Sequence, residues 1–80
     1  MITNTTGKPK PLSAVKAGQK VRIVSINAGL GLAGRLLAMG IIPNNQITML
    51  TDSYSGPVVI EVKGSKVMLG RGMAHKIMVV

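Results

Sequence analysis

The sequence contains no cysteine, phenylalanine or tryptophan, one tyrosine and only two acidic side chains among 80 residues. Each shortage removes a class of function. Without cysteine there are no disulfides, no thiolate zinc sites and no thiol nucleophiles. Asp52, Glu61 and His75 are the whole supply of carboxylate and imidazole. With these three set apart in the sequence, one copy is not expected to assemble the two or three hard ligands around Fe(II), Mn(II) or Mg(II), and a paired-carboxylate acid/base site would need both of its acids. Thioethers suit Cu(I), but Met1, Met39, Met49, Met68, Met73 and Met78 are dispersed, as flexible filler of an aliphatic core would be. The longest apolar stretch, residues 28–42, carries Arg35 and four glycines. It falls short of the ~18 residues that a membrane span needs.

What is abundant is aliphatic side chains and positive charge. Hydrophobic residues make up 46% of the chain, enough for one small domain of modest stability. Ten Lys and Arg against two acids give a net charge of +8, which attracts an anionic partner: nucleic acid, headgroups or an acidic protein surface. The cations are spread along the chain rather than gathered in a block, as ordinary solubilising charge also would be. The start, MITNTTGKPKP, is polar rather than a signal core. The expectation is a cytoplasmic protein with a flexible tail over residues 1–10 and a single domain over 11–80.

Along the chain, PLSAVKAGQ reads as a short helical turn or loop ending at Gly18. KVRIVSI alternates with a slip of phase, the mark of a strand with a bend or bulge. LAGRLLAMG places Leu32, Leu36 and Met39 at helical spacing, with Ala33 and Leu37 widening the stripe and Gly40 as the stop. Pro43 and Asn44 suit the two central positions of a turn. QITML reads as a strand. VVIEVK has Val58, Ile60 and Val62 on one face, and Gly64-Ser65 reads as a II′ connection to a return strand through Val67 and Leu69. GRGMAH allows one helical turn, and KIMVV closes with a strand through Ile77 and Val79. Five short strands with one helix between the first two fit a small, strongly bent antiparallel barrel, a mainly β fold.

GLGLAG, residues 29–34, is a literal G-x-G-x-x-G between a strand and a helix, and Asp52 ends the next strand near the ~20-residue offset of a ribose-binding acid. A dinucleotide fold needs further β-α-β crossovers, whereas hairpins follow Asp52. The glycines read better as structural: Gly29 and Gly31 turning the backbone from strand to helix, Gly34 allowing close packing of the helix on a neighbour. By the same geometry Leu30 projects from the turn.

Taken in order, L-x-x-V-K-x-G, the alternating strand, G-L-x-x-R-L-x-x-M-G-I-x-P, a variable strand, G-P-V-V-I-E-V-K-G and A-x-K-I-x-V resemble the FeoA family from about Leu12 to Val80. The resemblance implies an SH3-like barrel without enzymatic activity or cofactor. It also implies a role at the cytoplasmic GTP-binding region of the ferrous-iron transporter FeoB, at the inner face of the membrane. Asn44 stands where the family usually has glycine, and Asn tolerates the same turn. The candidate contact residues are Leu30, Leu32, Arg35 and Met39 on the glycine turn and helix, with Tyr54, Arg71 and Met73 in adjoining loops. Arg and Tyr are favoured interface anchors, and Met adapts to a partner's shape. The plain alternative is that Leu32, Leu36 and Met39 are core, Leu36 more so than Leu30, and that Arg35 is a solvated cation. A second reading is a basic barrel that binds nucleic acid. Against it stands Tyr54 as the only stacking platform, since stacking supplies about 1–3 kcal/mol per base in single-strand binders. A third is self-association through strand edges such as KIMVV.

Overall fold

The computed structural model describes residues 8–52 and 56–80. Six strands form one antiparallel sheet: β1 (Lys10–Pro11), β2 (Lys20–Ile26), β3 (Gln46–Thr51), β4 (Val58–Val62), β5 (Ser65–Leu69) and β6 (Ile77–Val79), in the spatial order β1-β6-β2-β3-β4-β5. A 3-10 turn at Leu12–Ala14 and two helices, α1 (Leu30–Ala38) and α2 (Arg71–Ala74), complete it. β2 serves both halves of the sheet. Its residues 20–22 pair with β3 and residues 23–26 with β6, with a register shift between Ile23 and Ser25 where it bends. That bulge is the slip of phase legible in KVRIVSI, and it curls the sheet into a barrel.

The inward positions are those that the alternation marks. Val21 and Ile23, Ile47 and Met49, Val58, Ile60 and Val62, Leu69, Ile77 and Val79 are all buried. Leu12 and Val15, Leu36, Ile41 and Ala74, from the turns and helices, join the same core, and no polar or charged side chain is buried among the described residues.

Three expectations are corrected. A sixth strand joins the sheet: Lys10 and Pro11 pair with Val79 and Met78, so the sheet begins inside the segment read as tail, and α1 falls between the second and third strands. Two residues are too few to show periodicity. KIMVV is not an edge either, because β6 lies between β1 and β2. The β4–β5 hairpin turns on Lys63-Gly64 rather than Gly64-Ser65. Both residues have positive φ (50° and 83°) and Val62 faces Ser65, which makes the turn type I′.

The end of α1 follows the sequence signal closely. Gly40 has φ +84°, its N–H donates to Leu37 O at 2.9 Å, and the Ile41 N–H donates to Leu36 O at 2.9 Å. This is a Schellman closure whose two flanking apolar residues, Leu36 and Ile41, are both fully buried. A Cβ on Gly40 would meet Val62 Cγ1 at 3.1 Å. Gly40→Ala is expected to lower stability by about 1–2 kcal/mol, from the left-handed backbone and this contact together. A urea midpoint equal to wild type would disprove it. Beyond Gly40, Asn44 takes φ 77° and donates its N–H to Ile23 O at 2.7 Å, while the Asn45 side chain donates to Gly40 O at 2.8 Å. The helix end and β2 are thereby fastened to one turn.

Candidate functional site

Helix α1 is nine residues long, packed on the barrel through one face and open on the rest. Leu36 is fully buried and Leu32 packs against the core, whereas Leu30 is 95% exposed and Leu37 58%. Leu30, Gly34 and Leu37 share one face, at spacings of four and three. With Ile26, Ala33, Ile41, Ile42 and Pro43 they line an apolar groove of about 440 Å³ between the helix and the segment that follows it. Gly31, Gly34 and Ala38 form the next strip round the helix, and exposed Arg35 stands beyond it.

The glycines differ from expectation. Gly29 caps the helix with ordinary extended angles (φ −65°, ψ 165°), and a Cβ at Gly29, Gly31 or Gly34 would meet nothing within 4 Å. Neither the turn into the helix nor packing on a neighbour within the chain requires them. Glycine inside a helix is less favourable than alanine by roughly 0.8–1.0 kcal/mol, so Gly31 and Gly34 weaken α1 with no return within the fold. Gly34→Ala is expected to raise stability by about 0.5–1 kcal/mol in urea unfolding; a loss would show that the fold needs the glycine.

The expected contact residues do not form one cluster. Leu30 lines the groove. Arg35 is on the same helix and Met39 caps its C-terminus, both outside the groove lining, Met39 being 38% exposed. Leu32 and Met73 pack on the core, and Arg71 is half-buried at the start of α2, away from the groove lining. Tyr54 lies outside the described residues. Leu37, expected to widen the core stripe, faces outward. The spacing that sets Leu30 and Leu37 on one face, seven residues apart, was the available signal.

Asp52 has a structural contact rather than a ribose: its Oδ2 accepts the Ala17 N–H at 2.6 Å and so fastens the loop before β2 to the end of β3. Ser13 Oγ and His75 Nδ1 lie 2.7 Å apart and tie the 3-10 turn to α2. The pair has the chemistry of a hydroxyl and its base. Glu61, however, sits on the outer face of β4 between Thr48 and Lys66, and Asp52 is engaged with Ala17, so neither carboxylate orients the imidazole. Among the described residues no three His, Asp or Glu side chains gather as a metal would need, and no helix is long and apolar enough to cross a membrane. The outer face of the sheet carries Lys20, Thr48, Glu61 and Lys66 in one cross-strand row, cations interrupted by an acid.

A six-stranded barrel closed by short helical turns, with one open helix on its side, is an SH3-like domain. By sequence this chain belongs to the FeoA family, whose domain matches residues 10–80. It is 42% identical over 69 residues to a candidate Fe(2+) transport protein A of Methanocaldococcus jannaschii, covering 86% of this chain and 83% of that protein. The crystal structure of an iron uptake regulatory protein, FeoA, superposes with a TM-score of 0.84 at 33% identity, covering 90% of this chain and 96% of the other. A manganese-dependent transcriptional repressor shares the fold alone, with a TM-score of 0.83 at 22% identity. There the match takes in 95% of this chain but only 43% of the repressor.

Proposed function

We propose that this chain is a non-enzymatic interaction module that docks on the cytoplasmic GTP-binding region of a ferrous-iron transporter, FeoB, and modulates iron uptake. Membership of the FeoA family and the likeness to a candidate Fe(2+) transport protein A direct the reading to iron transport. The observation that carries it is the open helix: Leu30 and Leu37 are held in solvent beside an apolar groove by a helix whose opposite face is fixed in the core. A pair of exposed leucines beside an apolar groove is the kind of surface that a partner covers. The protein thus acts in the cytoplasm, reaching the inner face of the membrane through its partner.

The test is binding of the transporter's soluble GTP-binding domain by calorimetry, with GTP hydrolysis measured with and without this protein. Saturable binding together with a changed hydrolysis rate is expected. No binding at low or moderate salt would remove the reading. Retained binding to short RNA at elevated salt would favour the nucleic-acid alternative, since phosphate attraction alone is lost there.

A further inference from the structure

The groove also restricts what can fill it. We propose that its occupant is an amphipathic helix of the transporter's GTP-binding domain, with an apolar ridge seated between Leu30 and Leu37 and acidic residues on its flanks, lying close over Gly34. This rests on the docking reading above and specifies the partner's side of it.

Charge comes first. Neither α1 nor the groove lining contains an acidic residue. The ionisable side chain on the helix is Arg35, exposed just beyond the glycine strip. At the other end the groove is lined by Ile26, which pairs with Ile77, and the next residue, Asn27, donates its N–H to Lys76 O at 2.7 Å. Exposed Lys76 therefore adjoins that end. The two acids are engaged elsewhere, Asp52 at the Ala17 N–H and Glu61 on the outer face of the sheet. An occupant with acidic flanks that lies over the glycine strip meets Arg35 beside that strip and the exposed residue Lys76 near the Ile26 end, and it meets no acid on α1 or the groove lining, whereas a basic one meets repulsion.

Shape decides between a helix and a strand. An added strand needs a row of free backbone donors and acceptors. The groove offers none in series: one wall is a helix, Ile26 is already paired with Ile77, and in the segment after the helix the Ile41 N–H is bonded to Leu36 O, Ile42 O accepts the Asn45 N–H and Pro43 has no N–H. A helix satisfies its own backbone and needs only side-chain contact. Nine residues of α1 present about 13 Å of length, between two and three turns. Gly34 and Ala33 at the centre, with Gly31 and Ala38 alongside, let a second helix backbone approach more closely than larger side chains permit. The open space at Gly34 is then filled by the partner, which accounts for a glycine that weakens α1 without serving the barrel.

The experiment measures affinity of the transporter's soluble GTP-binding domain for wild type, Gly34→Leu and Arg35→Glu, with urea unfolding of each variant as the control. A Cβ at this position meets nothing within 4 Å and leucine favours the helix, so Gly34→Leu is expected to fold at least as stably as wild type, which the unfolding control checks, and to bind at least tenfold more weakly. Arg35→Glu folds normally, binds at least tenfold more weakly at 50 mM salt, and shows a shallower loss of affinity between 50 and 300 mM salt than wild type. Wild-type binding with both variants unimpaired overturns this inference while leaving the docking reading intact. Failure of the wild type to bind overturns both. Weakening by Gly34→Leu with no effect of Arg35→Glu overturns the acidic character of the occupant.

Discussion

Leu30→Glu is expected to abolish the proposed binding to the transporter's GTP-binding domain and to leave the urea midpoint of the protein nearly unchanged. The second half follows from the free protein. Leu30 is 95% exposed in the first turn of α1, where a carboxylate meets the favourable end of the helix dipole, so the substitution is expected to shift stability by no more than about 0.5 kcal/mol. The first half follows from the docked state. Covering a leucine contributes about 1.5–3 kcal/mol, and a carboxylate forced into the same apolar groove adds a desolvation cost of several kcal/mol. A combined loss above about 4 kcal/mol is a thousandfold in affinity. Met68→Glu is the matched control, because Met68 is 69% exposed on β5, outside the groove lining. Equal losses in both variants would mean that added negative charge, and not the groove, had been tested.

The largest effect on the fold is expected at Ile60. It is fully buried on β4, opposite Met49 on one side and Val67 on the other. Ile60→Ala removes buried methyl groups from a core without aromatic side chains and should cost about 2–5 kcal/mol. At about 0.05–0.15 kcal/mol per residue, a chain of this length has roughly 4–12 kcal/mol in total, so the loss is a substantial share of the whole and the variant is expected to unfold at a markedly lower urea concentration. Lys66→Ala, exposed on the outer face of β5, should stay within about 0.5 kcal/mol of wild type. If denaturant unfolding gave Ile60→Ala the same midpoint as Lys66→Ala, the barrel core would have been assigned wrongly.

The barrel was legible where one physical preference acts alone. Val58, Ile60 and Val62 alternate because β4 has one face in the core, and Pro43-Asn44 predicts its turn because Asn accepts the positive φ of 77° found there. Reading failed where two preferences coincide. Lys63-Gly64 and Gly64-Ser65 both contain the glycine of a tight turn, and only the pairing of Val62 with Ser65 separates them. The two-residue β1 has no period and exists through its contact with β6, which no local pattern announces.

The candidate site was half legible for a similar reason. Leu36 and Leu37 are adjacent and chemically identical, yet a helix turns about 100° between them, so one is buried and the other open. Leu30 reads in the sequence as a residue of the glycine turn whose burial the pattern leaves open, and the structure makes it the exposed first residue of α1. Gly31 and Gly34 were read as serving the chain's own backbone. Only the empty space around them in three dimensions shows that the fold does not need them.

The most direct test is a nuclear magnetic resonance titration of the isotopically labelled protein with the transporter's unlabelled GTP-binding domain. The account predicts perturbed signals at Ile26, Leu30, Gly34, Leu37 and Ile42, with Lys20, Thr48, Lys66 and Met68 on the outer sheet unmoved. Perturbation confined to that outer face, with α1 silent, would contradict it.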